Sequence, residues 1–167
     1  MRITRVVVFG YGNASRGDDG VGPLLLARLA ALAPPVGVSV TCIEDFQLQI
    51  EHALDLDEAD LALFIDAGTG TPPPFAFWEG QPAPSVSPCS HALTPAAVLA
   101  VFQQMRHRPP PPAFVLCVRG DDFRLGAPLS EAGEQHCEQA WAFLQQLIKA
   151  CDPAAWRGLV RGMTLVQ

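Results

Sequence analysis

Val6-Val7-Val8-Phe9 is an unbroken apolar run that leads straight into Gly10-Tyr11-Gly12-Asn13-Ala14-Ser15-Arg16-Gly17-Asp18-Asp19-Gly20-Val21-Gly22, and no other segment constrains the fold as tightly. A strand without polar alternation is covered on both faces, as in a parallel sheet between helices. Beyond the glycines, Val21, Leu24, Leu25, Leu29 and Leu32 recur at helical spacing until Pro34-Pro35 stops the helix. Strand, loop and helix in this order open an α/β domain.

The rest of the chain repeats the alternation. Val36 to Ile43 reads as a second strand ending at Glu44-Asp45, Leu48 to Leu54 as a short helix, and Leu61 to Ile65 as a third strand ending at Asp66. Gly68 to Pro74 is turn-rich, and Phe75 to Trp78 is a short strand of antiparallel character. Gly80 to His91 reads as loop. Thr94-Pro95 starts a helix with a capping hydroxyl and a proline in the first turn, running to about Met105. Pro109 to Pro112 form a stiff linker, Ala113 to Val118 another buried strand, and Ser130 caps a long helix. Cys137, Ala140, Trp141, Leu144 and Ile148 share one face of that helix. The tail after Cys151 is expected to pack loosely. The whole is expected to be one domain, residues 1–167, with a largely parallel sheet sandwiched between helix layers.

Composition narrows the partners. The net charge is −6, with Lys149 the sole lysine and the arginines scattered, which argues against nucleic acid or an anionic membrane. No apolar run approaches the roughly 20 residues of a spanning helix. The N-terminal apolar stretch is too short for a signal peptide and is followed by no small-residue cleavage site. It reads instead as the first strand of a cytoplasmic protein, expected to be a monomer. The five cysteines (Cys42, Cys89, Cys117, Cys137 and Cys151) include no C-x-x-C pair, so most read as buried thiols, with Cys89 a loop thiol near the site, rather than a zinc site or disulfide framework.

A glycine-rich turn between a first strand and a first helix suggests dinucleotide binding. Ser15 replaces the third glycine of that pattern, the loop is too long, and Asp18 and Asp19 would repel a pyrophosphate. A phosphate loop fails because no lysine follows the glycines. The two carboxylates suit helix capping and cation binding about equally. Asp66-Ala67-Gly68-Thr69-Gly70 adds a carboxylate at the carboxyl end of the third strand, and Ser90-His91-Ala92-Leu93-Thr94-Pro95 an imidazole just before a helix. Ligand sites in open α/β sheets gather outside the carboxyl ends of the strands. Asp19, Asp66 and His91 are therefore able to converge from three loops. Such a donor set suits a divalent transition metal with positions left open for substrate.

In this order G-x-G-N-x-x-x-x-D-D-G-x-G, D-A-G-T-G and S-H-x-L-T-P resemble the nickel–iron hydrogenase maturation endopeptidases. Arg119-Gly120, Phe123, Gly126 and Leu129-Ser130 resemble the last strand and loop of that family. The resemblance spans Val6 to about Ala150. It implies a three-layer sandwich, a mainly parallel, twisted five-stranded sheet with helices on both faces. It implies as substrate a hydrogenase large-subunit precursor whose C-terminal extension is removed after nickel insertion. Asp19, Asp66 and His91 fall on the metal-binding positions, although some members carry Glu where this chain has Asp19. The nickel would arrive with the substrate, and the resting enzyme would be largely metal-free. Asp18, adjacent to these ligands, is the expected general base, with nickel polarisation of the scissile carbonyl as the other route. A nickel-binding chaperone that does not cut, and less plausibly a dinucleotide-binding regulator, are the rival readings.

Other candidates have plainer explanations. Cys89 sits too close to His91 in sequence for a nucleophile and base converging in space. Ser15 and Ser90 lack a G-x-S-x-G context, and H-E-x-x-H is absent. His52 and His136 read as half-exposed helix histidines, His107 as a solvated helix end, Asp121-Asp122 as a turn, and Trp141 as core.

Overall fold

Buried aliphatic and aromatic runs set the sheet. In the computed structural model, which describes residues 2–84 and 93–162, five strands lie in the order β2-β1-β3-β5-β4. They are β1 (Thr4–Tyr11), β2 (Val38–Asp45), β3 (Leu61–Gly68), β4 (Phe75–Gly80) and β5 (Ala113–Arg119). β1, β3 and β5 form the middle of the sheet and are nearly all buried, matching their continuous apolar sequences. β2 pairs in parallel with β1, β1 with β3 and β3 with β5, whereas β4 runs antiparallel to β5. The short run at Phe75 therefore returns against its neighbour as its sequence suggests.

Helices cover both faces. On one side lie α1 (Val21–Ala30) and α3 (Glu131–Lys149), packed with Val6, Val8, Leu63, Ile65, Phe114 and Leu116. On the other lie a 3₁₀ segment, Ile50–Leu56, and α2 (Pro95–Arg106), packed with Val7, Phe9, Phe64 and Val115. Alternation along each strand sends successive side chains into the two layers. The result is an α/β domain with one mostly parallel sheet between two helical layers. Among the described residues no helix is long and apolar enough to cross a membrane.

Capping follows the sequence closely. Thr94 Oγ1 accepts from Ala97 N–H at 3.1 Å at the start of α2, and Ser130 Oγ accepts from Gly133 N–H at 2.9 Å at the start of α3. His107 ends α2 in the left-handed region at φ 54°, exposed as expected.

The tail differs from the expectation of loose packing. Pro153–Arg157 forms α4, and Trp156 is completely buried. Its ring meets Phe77 and Phe114 edge-on, at centroid distances of 6.2 and 5.4 Å, and its indole N–H donates to Leu147 O at 3.0 Å. Beyond it, Phe77 and Arg161 exchange backbone hydrogen bonds, so the chain closes over β4. Trp141, read as core, is only partly buried and lies under the guanidinium of Arg28, 4.5 Å from its ring centre.

Candidate functional site

The carboxyl ends of β1 and β3 meet where Gly10 pairs with Ile65, so the next residues, Tyr11 and Asp66, follow side by side. Tyr11 also pairs with Asp45, and Asp66 with Cys117. Asp45, Tyr11, Asp66 and Cys117 thus form one row across the end of the sheet. Asp66 Oδ1 accepts from Ala67 N–H at 2.7 Å. Burial raises its pKa to about 6, the Ala67 N–H opposing this and the negative charge of Asp19 adding to it.

Asp19 reaches this place through the glycine loop. Its Oδ2 accepts from Asn13 N–H at 2.7 Å, and its own N–H donates to Arg16 O at 3.1 Å. Asn13 Oδ1 in turn accepts from Ser15 N–H at 2.9 Å. Gly12 has φ 145°, and a Cβ there would collide with the carbonyl oxygen of Asp19. The glycine is what lets the loop fold back on itself. The structure therefore brings Asp19 and Asp66 close enough for the charge of one to act on the other.

Asp18, one residue earlier, has another part than the general base expected from the sequence. It is completely buried. Oδ2 accepts from Asp121 N–H at 2.8 Å, Asp122 N–H at 3.1 Å and the Ser130 hydroxyl at 2.8 Å; Oδ1 accepts from Ser130 N–H at 2.8 Å. Burial alone would raise its pKa, but these donors outweigh it and hold the carboxyl below its usual range. A carboxylate closed to solvent and saturated with donors is a poor acceptor for a proton from water. It ties the glycine loop to the loop after β5 and to the start of α3. Gly133 completes the joint, since a side chain there would run into the Asp18 carboxylate.

His91, Ser90 and Cys89 lie outside the described residues. Leu93, just before α2, packs against the layer containing Tyr11 and Cys117. Among the described residues no group of three His, Cys, Asp or Glu side chains is arranged to hold a metal ion.

Sequence reading missed two features of the same end of the sheet. His52 is buried rather than half-exposed, with its ring against Phe9 at 5.6 Å. Gln49 N–H donates to its Nδ1 at 2.8 Å, so the ring proton of the neutral form sits on Nε2, 3.3 Å from Asp45 Oδ2. Tyr11 is the second. Among the described residues its hydroxyl is the one buried side-chain polar atom with no hydrogen-bond partner. Burial, then the negative charge of Asp66, pushes this phenol well above its usual pKa. Neither signal was available from the sequence pattern, which places Tyr11 in the glycine-rich loop and His52 on a short helix.

The thiols among the described residues are chemically quiet. Cys42, Cys117, Cys137 and Cys151 are unpaired, and burial raises the last three to about 11. Cys117 Sγ lies 3.0 Å from Thr71 Oγ1.

This fold is the fold of solved hydrogenase maturation proteases. The HycI protease from Thermococcus kodakarensis KOD1 superposes with a TM-score of 0.67 at 21% identity, over 88% of this chain and 94% of that one. The maturating endopeptidase HybD from E. coli gives 0.69 at 19% identity, over 87% and 93%. A hydrogenase 2 maturation peptidase from Thaumarchaeota archaeon SCGC_AB-539-E09 gives 0.60 at 19%, over 87% and 98%. No family model matches the chain, and no curated protein matches it in sequence.

Proposed function

We propose that this chain is an endopeptidase that removes the C-terminal extension of a nickel–iron hydrogenase large-subunit precursor after nickel insertion. Asp19 and Asp66, with His91, hold the nickel carried by that substrate. The fold shared with solved hydrogenase maturation proteases supports the activity. The observation that carries the metal reading is the pair Asp19 and Asp66. The two carboxylates repel across the end of the sheet, and Asp66 is raised to about 6, by burial first and then by Asp19. A divalent cation between them would relieve both costs.

Two oxygen donors from the protein make only a modest site for nickel. An imidazole, together with ligands the precursor itself supplies, would make a far better one. The metal then marks which precursor is ready and holds the nearby peptide bond beside the Gly10–Gly22 loop. With Asp18 committed to the loop joint, activation falls to the substrate's nickel, which polarises the scissile carbonyl toward water.

The test uses metal-free enzyme with precursor prepared with and without nickel, followed by mass spectrometry of the tail. The reading expects loss of tail mass only from the nickel-loaded precursor, and no loss with Asp19→Asn or Asp66→Asn. Equal cleavage of both precursors would reject nickel as the label. Tight binding without any loss of mass would make the protein a chaperone instead.

A further inference from the structure

The sheet has two edges, β2 and β4. The β4 edge is covered: Phe77 N–H donates to Arg161 O at 2.8 Å and Arg161 N–H to Phe77 O at 3.0 Å. The β2 edge has no such cover among the described residues. Gly37 O and Asp45 O accept from Thr4 and Gly12 on the β1 side. Strand alternation therefore turns the peptide groups of Val40, Cys42 and Glu44 outward. None of the three has a backbone partner on that side among the described residues.

Proteins usually blunt an open edge with lysine, proline, a bulge or a covering segment. β2 contains no lysine or proline, and its register with β1 is unbroken from Val38 to Asp45. A groove of about 640 Å³ lies over one face of β1 and β2, lined by Val6, Val7, Thr41, Ile43, Leu54 and Ala59. A separate one, of about 310 Å³, lies at Glu44, Asp45 and Phe46 at the end of the strand. An added strand finds backbone partners along the edge, with the larger groove open on one face next to it.

Charge selects the occupant. Asp57 is matched by Arg106 and Arg108, but Glu58 has only Arg5 at 3.6 Å, both side chains being largely exposed. Among the described residues Glu44 and Asp55 have no cation within ion-pair distance. A second copy of this chain would bring no lysine or arginine on its own β2 to meet these carboxylates. We propose that the outer edge of β2 takes an extended, lysine- or arginine-bearing peptide segment as a sixth strand. On the peptidase reading, on which this assignment of the occupant rests, the segment belongs to the protein substrate. β2 leads it toward Asp45, whose carbonyl already holds Gly12 of the glycine loop.

The probe is a capped peptide alternating lysine and valine, with amide hydrogen exchange read on the full chain. Exchange should slow at Val40, Cys42 and Glu44. Val40→Pro, which deletes one outward N–H on an edge strand, should weaken binding about fivefold. Because proline can also disturb the strand, Glu44→Lys with Glu58→Lys is the second variant. It should keep the wild-type melting temperature, lose affinity for the lysine–valine peptide and gain it for a glutamate–valine one. Slowing only elsewhere, or unchanged binding by both variants, overturns the proposal. A wild-type dimer that Val40→Pro breaks gives the edge to a second copy and overturns it too. With nickel-loaded precursor, both variants should raise KM and leave kcat unchanged; an unchanged KM removes the substrate as occupant. If precursor is never cleaved while the peptide still protects β2, the peptidase reading fails and the strand-addition site stands.

Discussion

Asp18 and Asp66 are carboxylates at one end of the sheet driven in opposite directions, and each direction has a measurable consequence. Asp18 is lowered, by donors that outweigh its burial. Its contribution to stability is full above the unfolded pKa near 3.8 and is lost as pH falls through the lower folded value. Asp18→Asn turns an amide NH₂ toward donors and should cost about 3 kcal/mol or more. Urea unfolding at neutral pH measures that loss, and the variant should also show a shallower acid dependence than wild type. Asp66 is raised to about 6. Here the folded state holds the extra proton, so stability falls as pH rises from about 4 to 6 and is flat above. Asp66→Asn keeps an acceptor for Ala67 N–H and removes the charge. It should therefore stabilise the protein by roughly 1–2 kcal/mol at pH 7, after allowance for partial exposure, and by little at pH 4. On the proposed reading the same variant cuts no precursor. A variant that is less stable at pH 7 would show that Asp66 is held by partners rather than strained by its surroundings.

At the scale of elements, the loop after β1 does work that its glycines announce. Gly12 sits against the Asp19 carbonyl at φ 145°, so Gly12→Ala should displace Asp19 and impair cleavage far more than it lowers the melting temperature. An unchanged rate would reduce the loop to a connector. This element was legible in sequence because the apolar run, the glycines and the helical spacing each carry local information. β4 and both capped helices were legible for the same reason. The division of labour between Asp18 and Asp19 was not. Their local sequence is shared, and what separates them is a set of donors from residues 121, 122 and 130, reached only through the fold. His52 was misjudged on similar grounds, since its burial depends on Phe9 of another element. The tail was misread because Trp156, Leu159 and Val160 are too few, and too closely followed by glycine, to set a period. Its packing against Phe77 and Phe114 is wholly tertiary.

At the scale of the whole molecule, that tail decides whether the sheet has one open edge or two. Trp156 fills the layer beneath β4 and β5, and Arg161 pairs along the outer side of β4. Losing a buried Trp side chain typically costs about 3–5 kcal/mol, a large share of a stability of roughly 5–15 kcal/mol. A chain ending at Ala150 should therefore melt well below wild type. It should also expose the Phe75–Gly80 edge, which carries no lysine or proline to resist pairing. Trp156→Ala separates the two effects, because it loses the packing while keeping the backbone cover at Arg161. The expectation is that both variants are destabilised, and that light scattering on warming rises earlier and more steeply for the shortened chain at matched stability. Equal scattering from the two would mean that the cover on β4 contributes nothing beyond Trp156. A shortened chain that melts with wild type would return the tail to the loose segment its sequence suggests.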